Sequence, residues 1–230
     1  MKWKVQLDNS KVVVVAHTVE TLEVLFREMT NDQVVQHIEV EPYAVVTVRE
    51  ICGSGIRIAA STVEIIVGSH AQVTYQLGSF DALGMQLIKR SITFVLQGDY
   101  GQVECFGALQ ARGAVKHELQ VKQIHQGIST KSSCSVKMVL DDAVQVIYAG
   151  RVLIEPSAHK ASAIQDYKAL VLSEAVVVTA KPELEILHNN VACKHGVAIA
   201  HINKEYIFYL ATRGIPREIG VELITQGFLR

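Results

Sequence analysis

Cys193-Lys194-His195 is the constellation in this sequence with the most direct chemical content. In an extended segment, residues two apart point to one face. The Cys193 thiolate and the His195 imidazole are therefore placed to reach one metal ion or one sulfur-carrying group. Thiolate and imidazole together suit zinc, copper or iron–sulfur chemistry rather than hard cations. His188 and His201 are near enough in sequence to supplement them. Two ligands do not close a four-coordinate site, so any metal needs further ligands from elsewhere in the chain or from a partner. The bland alternative is a buried cysteine beside a surface histidine.

The other candidates read as structure. Cys105 alternates with Val103 and fills core space as a small hydrophobe. Cys52 precedes the loop Gly53-Ser54-Gly55, which lacks a following Lys-Ser/Thr and is no phosphate loop. Cys134, within Ser132-Ser133-Cys134-Ser135, is expected in a turn. Asp141-Asp142 is expected to form a corner, because adjacent residues diverge. His117 and His125 have no assembled Ser or Asp partner, so no hydrolase triad is visible and no catalytic residue is assigned.

Composition narrows the function classes. A net charge of −1 over 230 residues argues against nucleic acid, whose phosphates demand clustered Lys and Arg. Apolar runs such as Val12 to Ala16 fall far short of the roughly 20 residues of a spanning helix. The segment Met1 to Asp8 lacks the apolar stretch of a secretory signal. The 4 cysteines include no close pair, hence neither a disulfide framework nor a zinc-finger spacing. A cytoplasmic location is expected.

The elements that must position Cys193 and His195 are mostly short strands. Val- and Ile-rich runs include Lys11 to His17, Ala44 to Ile51, Gly55 to Val67, Ala71 to Leu77, Ile88 to Leu96, Lys116 to Ile124, Val144 to Tyr148 and Arg151 to Ile154. β-branched residues at period two fit a pleated, half-buried surface. Thr18 to Met29 fits either a helical stripe or an alternating strand. Several strands begin alike, with turn-forming residues leading to an alanine: Ala44, Ala71, Ala143, Ala158 and Ala175. Repeated corners of this kind suit a β-solenoid, and a sandwich of short strands fits the pattern equally. Near Asn203 the texture changes. Lys204 to Arg213 reads as a helix with Asn203 as N-cap and Gly214 at C′. A second helix opens at Pro216, runs to about Gln226 and closes at Gly227. Ile207, Leu210 and Ala211 line one face of the first helix; Ile219, Leu223 and Ile224 line one face of the second. Acidic residues offset the few basic ones, so a docking hairpin is preferred to a DNA reader.

From Gly150 onward the sequence resembles the SufB/SufD family of SUF iron–sulfur cluster assembly proteins. The likeness rests on Gly150-Arg151-Val152-Leu153-Ile154, read as a strand leaving a Gly turn, and on Leu170-Val171-Leu172-Ser173-Glu174-Ala175. It continues through Lys181-Pro182-Glu183-Leu184-Glu185-Ile186, Cys193-Lys194-His195-Gly196, the run Phe208 to Ile215, and Gly227-Phe228. The resemblance implies a mainly β protein: a right-handed parallel β-helix over 1–202 with a C-terminal α-helical hairpin over 203–230. It implies a non-enzymatic scaffold that pairs with a SufB-like subunit or with itself. The hairpin would bind a SufC-like ABC-type ATPase through Tyr206, Ile207, Leu210, Arg213, Gly214 and Ile215. A transient iron–sulfur cluster shared with the partner is the implied cofactor, contacted by His195 first and Cys193 second. Asp166-Tyr167 stands where the SufB branch has a sulfur-accepting cysteine, which makes the chain SufD-like. It is shorter than typical members, without their long helical region ahead of the β-helix. The rival reading is a structural, self-associating β-solenoid without metal chemistry; a polysaccharide-acting β-helix enzyme would need a carboxylate-lined face.

Overall fold

The computed structural model describes residues 2–6, 11–15, 17–26, 34–52, 60–78 and 87–230. In chain order the strands are β1 (Lys2–Gln6), β2 (Lys11–Val14), β3 (Val19–Phe26), β4 (Val34–Val40) and β5 (Val45–Cys52). They continue as β6 (Ala60–Val67), β7 (Gln72–Leu77), β8 (Leu87–Leu96), β9 (Gln102–Ala111) and β10 (Lys116–His125). The last are β11 (Lys131–Leu140), β12 (Gln145–Ile154), β13 (Ser162–Val171), β14 (Val177–Ile186) and β15 (Ala192–His201). Two helices follow, α1 (Lys204–Thr212) and α2 (Arg217–Leu229).

Odd strands form an 8-stranded sheet and even strands a 7-stranded one, each ordered by chain position. Neighbours in both are parallel and in register, as in Lys131↔Gln102 and Lys131↔Ser162. The chain thus winds through one strand of each sheet per coil, and equivalent positions recur after 19 residues between β1 and β3 and after 26 to 32 residues in the other described pairs. A sandwich of hairpins would pair antiparallel; the fold is a β-solenoid with a small C-terminal two-helix element. Strict inward–outward alternation builds it. In β12 the even-numbered positions from Val146 to Ile154 are buried and the odd ones are not. Stacking such strands in register lays Phe94, Tyr75, Ile92, Val121 and Val136 into one continuous core.

One set of corners holds the coils in register. His17, Tyr43, His70, Tyr100, Ser129 and Lys160 all have φ between 56° and 64°. A left-handed conformation costs a non-glycine residue about 1 kcal/mol or more, so each corner needs compensation. Part of it is a hydrogen-bond ladder through the turns: Tyr43 N–H to Ser69 O (2.9 Å), His70 N–H to Asp99 O (2.8 Å) and Tyr100 N–H to Ile128 O (2.8 Å). The rings of His17, Tyr43, His70 and Tyr100 also stack at 5.0, 4.9 and 4.7 Å between successive centroids. The small residues that follow, Ala44, Ala71 and Ala161, are fully buried. Ala158 is buried as well, whereas Ala143 and Ala175 face solvent and leave the corner to Val144 and Val176.

Thr18 to Met29 resolves into strand β3, with Met29 outside the described residues. The loop Gly53-Ser54-Gly55 and the start of the run Gly55 to Val67 also lie outside them. Val144 to Tyr148 and Arg151 to Ile154 are one strand, and Gly150 sits in its middle rather than in a turn. The reason is packing. A Cβ on Gly150 would lie 2.2 Å from Gln165 Oε1, a side chain that crosses the interior from the other sheet. Cys134 is likewise in strand β11, not a turn, buried in register with Cys105. Gly227 falls inside α2, which runs on to Leu229. The buried face of α2 carries Gly220 and Thr225, while Ile219 and Leu223 are exposed.

Candidate functional site

The solenoid core is interrupted by two polar clusters. In the first, Arg90 and Tyr75 both bond the Glu50 carboxylate. Glu50 also accepts from Gly78 N–H (2.8 Å), and Arg90 donates to Gly78 O (3.0 Å). Burial lowers the Arg90 guanidinium to about 9. Arg90 falls in the inward phase between Ile88 and Ile92, and Glu50 in the phase of Val46 and Val48. That charge in an apolar phase was the legible signal of a buried pair. Nearby, burial and hydrogen bonding with Cys134 push the Cys105 thiol well up, so it stays protonated and inert.

The second cluster surrounds His125. Thr130 donates to Gly127 O (3.1 Å), so its oxygen accepts Nδ1–H of His125 at 2.8 Å. Ser132 Oγ accepts from Gln123 Nε2 (2.7 Å) and donates to His125 Nε2 (2.8 Å). The chain of bonds fixes a neutral imidazole, and burial lowers its pKa to about 4. His117 is lowered similarly, to about 4, by burial and then by the charge of Arg90. Gln165 extends the network by donating to Gln123 Oε1 at 2.9 Å. His125 is thus tied into an interior network, whereas the buried Nε2 of His117 has no hydrogen-bond partner.

Cys193 and His195 lie on β15, where they occupy the inward register positions above Ala163 and Gln165. They share one face, with Val197, Ile199 and His201 further along it. This face is not covered. β14 and β15 end their sheets, and among the described residues no further coil lies over them. Inward residues that are wholly buried one coil earlier, Val152, Ile154 and Tyr167, have as successors Leu184, Ile186 and Val197, which are 37%, 42% and 39% exposed. The solenoid therefore ends in an open apolar rim that carries a thiol and two imidazoles. Burial raises the Cys193 thiol, partly offset by a hydrogen bond from the Ala163 backbone. His201 sits six residues beyond His195, about 20 Å along an extended strand. His188 turns away to the corner, where its Nδ1 accepts from Asn190 N–H (3.0 Å) and its ring meets that of His159. No cluster of three potential metal ligands forms among the described residues.

The hairpin residues divide by role. Asn203 caps α1 by accepting from Glu205 N–H at 2.8 Å. Gly214 (φ 77°) follows the helix, with its N–H bonded to Ala211 O and that of Ile215 to Leu210 O, a Schellman closure. Leu210 and Ile207 pack toward Gly220 of α2. Arg213 lies over the Tyr209 ring at 5.4 Å. Tyr206 is 62% exposed, and Phe208, Tyr209, Ile219 and Leu223 are exposed as well; of these, Phe208 and Tyr209 were not among the expected partner contacts. Phe228 of α2 approaches Lys137 on the outer face of the odd-numbered sheet.

The profile of the SUF system FeS cluster assembly SufBD core domain matches residues 79–228. The chain belongs to the SufBD family. The match begins well upstream of the C-terminal motifs and takes in the whole His125 cluster, and Arg90 of the Glu50 cluster. A SufBD-family iron–sulfur cluster assembly protein of Synechocystis is 26% identical over 195 residues, 72% of this chain and 42% of that protein. Iron–sulfur cluster assembly protein SufD of Bacillus subtilis is 27% identical over 70% of this chain and 36% of its own length. SufB of the same organism is 24% identical over 64% of this chain and 32% of its own. The chain thus spans about a third to two fifths of the curated relatives it matches. No helix among the described residues is long and apolar enough to cross a membrane.

Proposed function

We propose that the chain is a scaffold subunit for iron–sulfur cluster assembly, SufD-like, which pairs through the open rim of its last coil with a SufB-like subunit or a second copy. The observation that carries this reading is the uncovered inward face of β14 and β15, with Cys193 and His195 upon it, in a SufBD-family chain. Two sheet ends and an apolar rim are what a solenoid normally caps, and a second rim of the same kind covers both at once. Pro182 on β14 lacks an N–H, which limits random edge pairing and favours side-chain contact there. In this reading the 1–202 β-helix and the 203–230 hairpin are separate units, the hairpin docking the ABC-type ATPase. The setting proposed is the cytoplasm.

Pairing supports the cluster chemistry because each chain brings too few ligands alone. The cluster is cargo. An imidazole binds iron in its neutral form, whereas a thiol must lose its proton first, and burial at Cys193 opposes that loss. His195 therefore ranks before Cys193. The SufD-like assignment rests on the pattern Lys181 to Ile186 and on Asp166-Tyr167.

The test is His195→Ala in the anaerobically purified complex. Iron and sulfide content should fall while gel filtration shows the same size, and Cys193→Ser should have an equal or smaller effect. Ile199→Asp, by contrast, should separate the subunits. Normal cluster content in the His195→Ala complex removes the ligand role. Normal pairing of Ile199→Asp removes the rim as the interface and leaves a solenoid that associates elsewhere.

A further inference from the structure

The two helices and the end of the solenoid enclose a groove of about 570 Å³. Leu172 and Ile202 form its solenoid wall and Ile207, Phe208 and Ala211 its α1 wall, so the middle is apolar. The polar exceptions are Lys204 and Arg217, and no acidic side chain lines the groove. Lys204 opens α1 and Arg217 opens α2 just beyond the far end of α1. Lys204 thus stands at one end of α1, a nine-residue helix about 13 Å long, and Arg217 stands beyond its other end.

A helix N-terminus favours acids, and the first turns of α1 and α2 carry Glu205 and Glu218 beside these cations, but neither acid lines the groove. Neither Lys204 nor Arg217 forms an ion pair among the described residues. The α2 terminus also lacks a side-chain cap, which leaves its first N–H groups without side-chain acceptors. Two bases without an ion pair frame an apolar trough whose lining carries no acid, and an anion at each end would pair with both. A small amphiphile would cover the trough alone. The same two helices also expose Tyr206, Tyr209, Ile219 and Leu223, at 62%, 55%, 48% and 50%. An apolar surface of that extent calls for a protein.

We infer that the groove receives an acidic–apolar segment of the ABC-type ATPase. An aliphatic or aromatic side chain fills the trough, and carboxylates on either side of it meet Lys204 and Arg217. This rests on the reading that the hairpin is the ATPase-docking element, and it adds the chemistry of the docked segment.

The experiment measures the affinity of the full chain for the ATPase of the same SUF system, by calorimetry, at two salt concentrations. Lys204→Glu and Arg217→Glu should each weaken binding roughly five- to tenfold, and the double variant should flatten the salt dependence. Ala211→Trp fills the trough and should weaken binding by about tenfold or more. Tyr206→Ala and Leu223→Asp probe the hairpin outside the groove. Thermal melts check that each variant remains folded, which exposed positions allow. If the groove variants bind as wild type while Tyr206→Ala or Leu223→Asp weakens binding, the hairpin docks the ATPase but the groove inference is overturned. If none of the five weakens binding, the hairpin reading falls with it. If the groove variants alter only the oligomeric state of this chain, the occupant is a second copy and the inference is overturned.

Discussion

The buried neutral histidine His125 makes the fold acid-sensitive in a calculable way. Its pKa is lowered from 6.5 to about 4 by burial, and both ring nitrogens are committed, one as donor to Thr130 and one as acceptor from Ser132. Protonation turns Nε2 into a donor facing an oxygen that already accepts from Gln123. The folded state therefore resists a proton that the unfolded chain accepts readily. The stabilisation is fully present above pH 6.5 and is lost as pH falls from there toward the folded pKa of about 4. At 1.36 kcal/mol per unit, the whole shift is worth about 3 kcal/mol, of which about 2 kcal/mol is gone by about pH 5. Urea unfolding of wild type and His125→Gln between about pH 7.5 and pH 5 measures the difference. Other titrating groups are common to both proteins, so the gap between their pH slopes isolates His125. The variant should lose about 2 kcal/mol less than wild type over that interval. Parallel slopes would refute the reasoning, as would an imidazole NMR titration of the folded protein with a midpoint at the ordinary value.

Three further outcomes follow from the interior. Gly150→Ala places a Cβ 2.2 Å from Gln165 Oε1 and should cost about 1–3 kcal/mol in urea unfolding, with part recovered in Gly150→Ala/Gln165→Ala. Glu50→Gln leaves the Arg90 guanidinium without its counter-charge and should cost about 3–5 kcal/mol, more than replacing both partners by Leu and Met. At the rim, Leu184→Asp should leave the melting temperature of the isolated chain nearly unchanged and abolish pairing in gel filtration, because that side chain is already 37% exposed.

Much of the fold was legible in the sequence because local rules act within a few residues. Alternation marked the strands, and the i, i+2 rule placed Cys193 and His195 on one face. Asn203 and Gly214 marked the ends of α1 through caps whose bonds close within one turn. The site's setting was less legible. β14 and β15 pair with β12 and β13 in the same register as earlier coils. Yet their inward residues are only partly buried or exposed, because exposure depends on whether another coil lies above, a fact no local pattern carries. Cys134 looked like a turn residue among serines. Its fate was decided by Cys105, which lies in register one coil below. Gly150 looked like a turn for the same reason, since the Gln165 side chain that needs its missing Cβ comes from the opposite sheet. Sequence alone determined which residues face inward. Tertiary structure decided what each of them meets there, because in a solenoid every inward side chain packs against neighbours about thirty residues away or across the core.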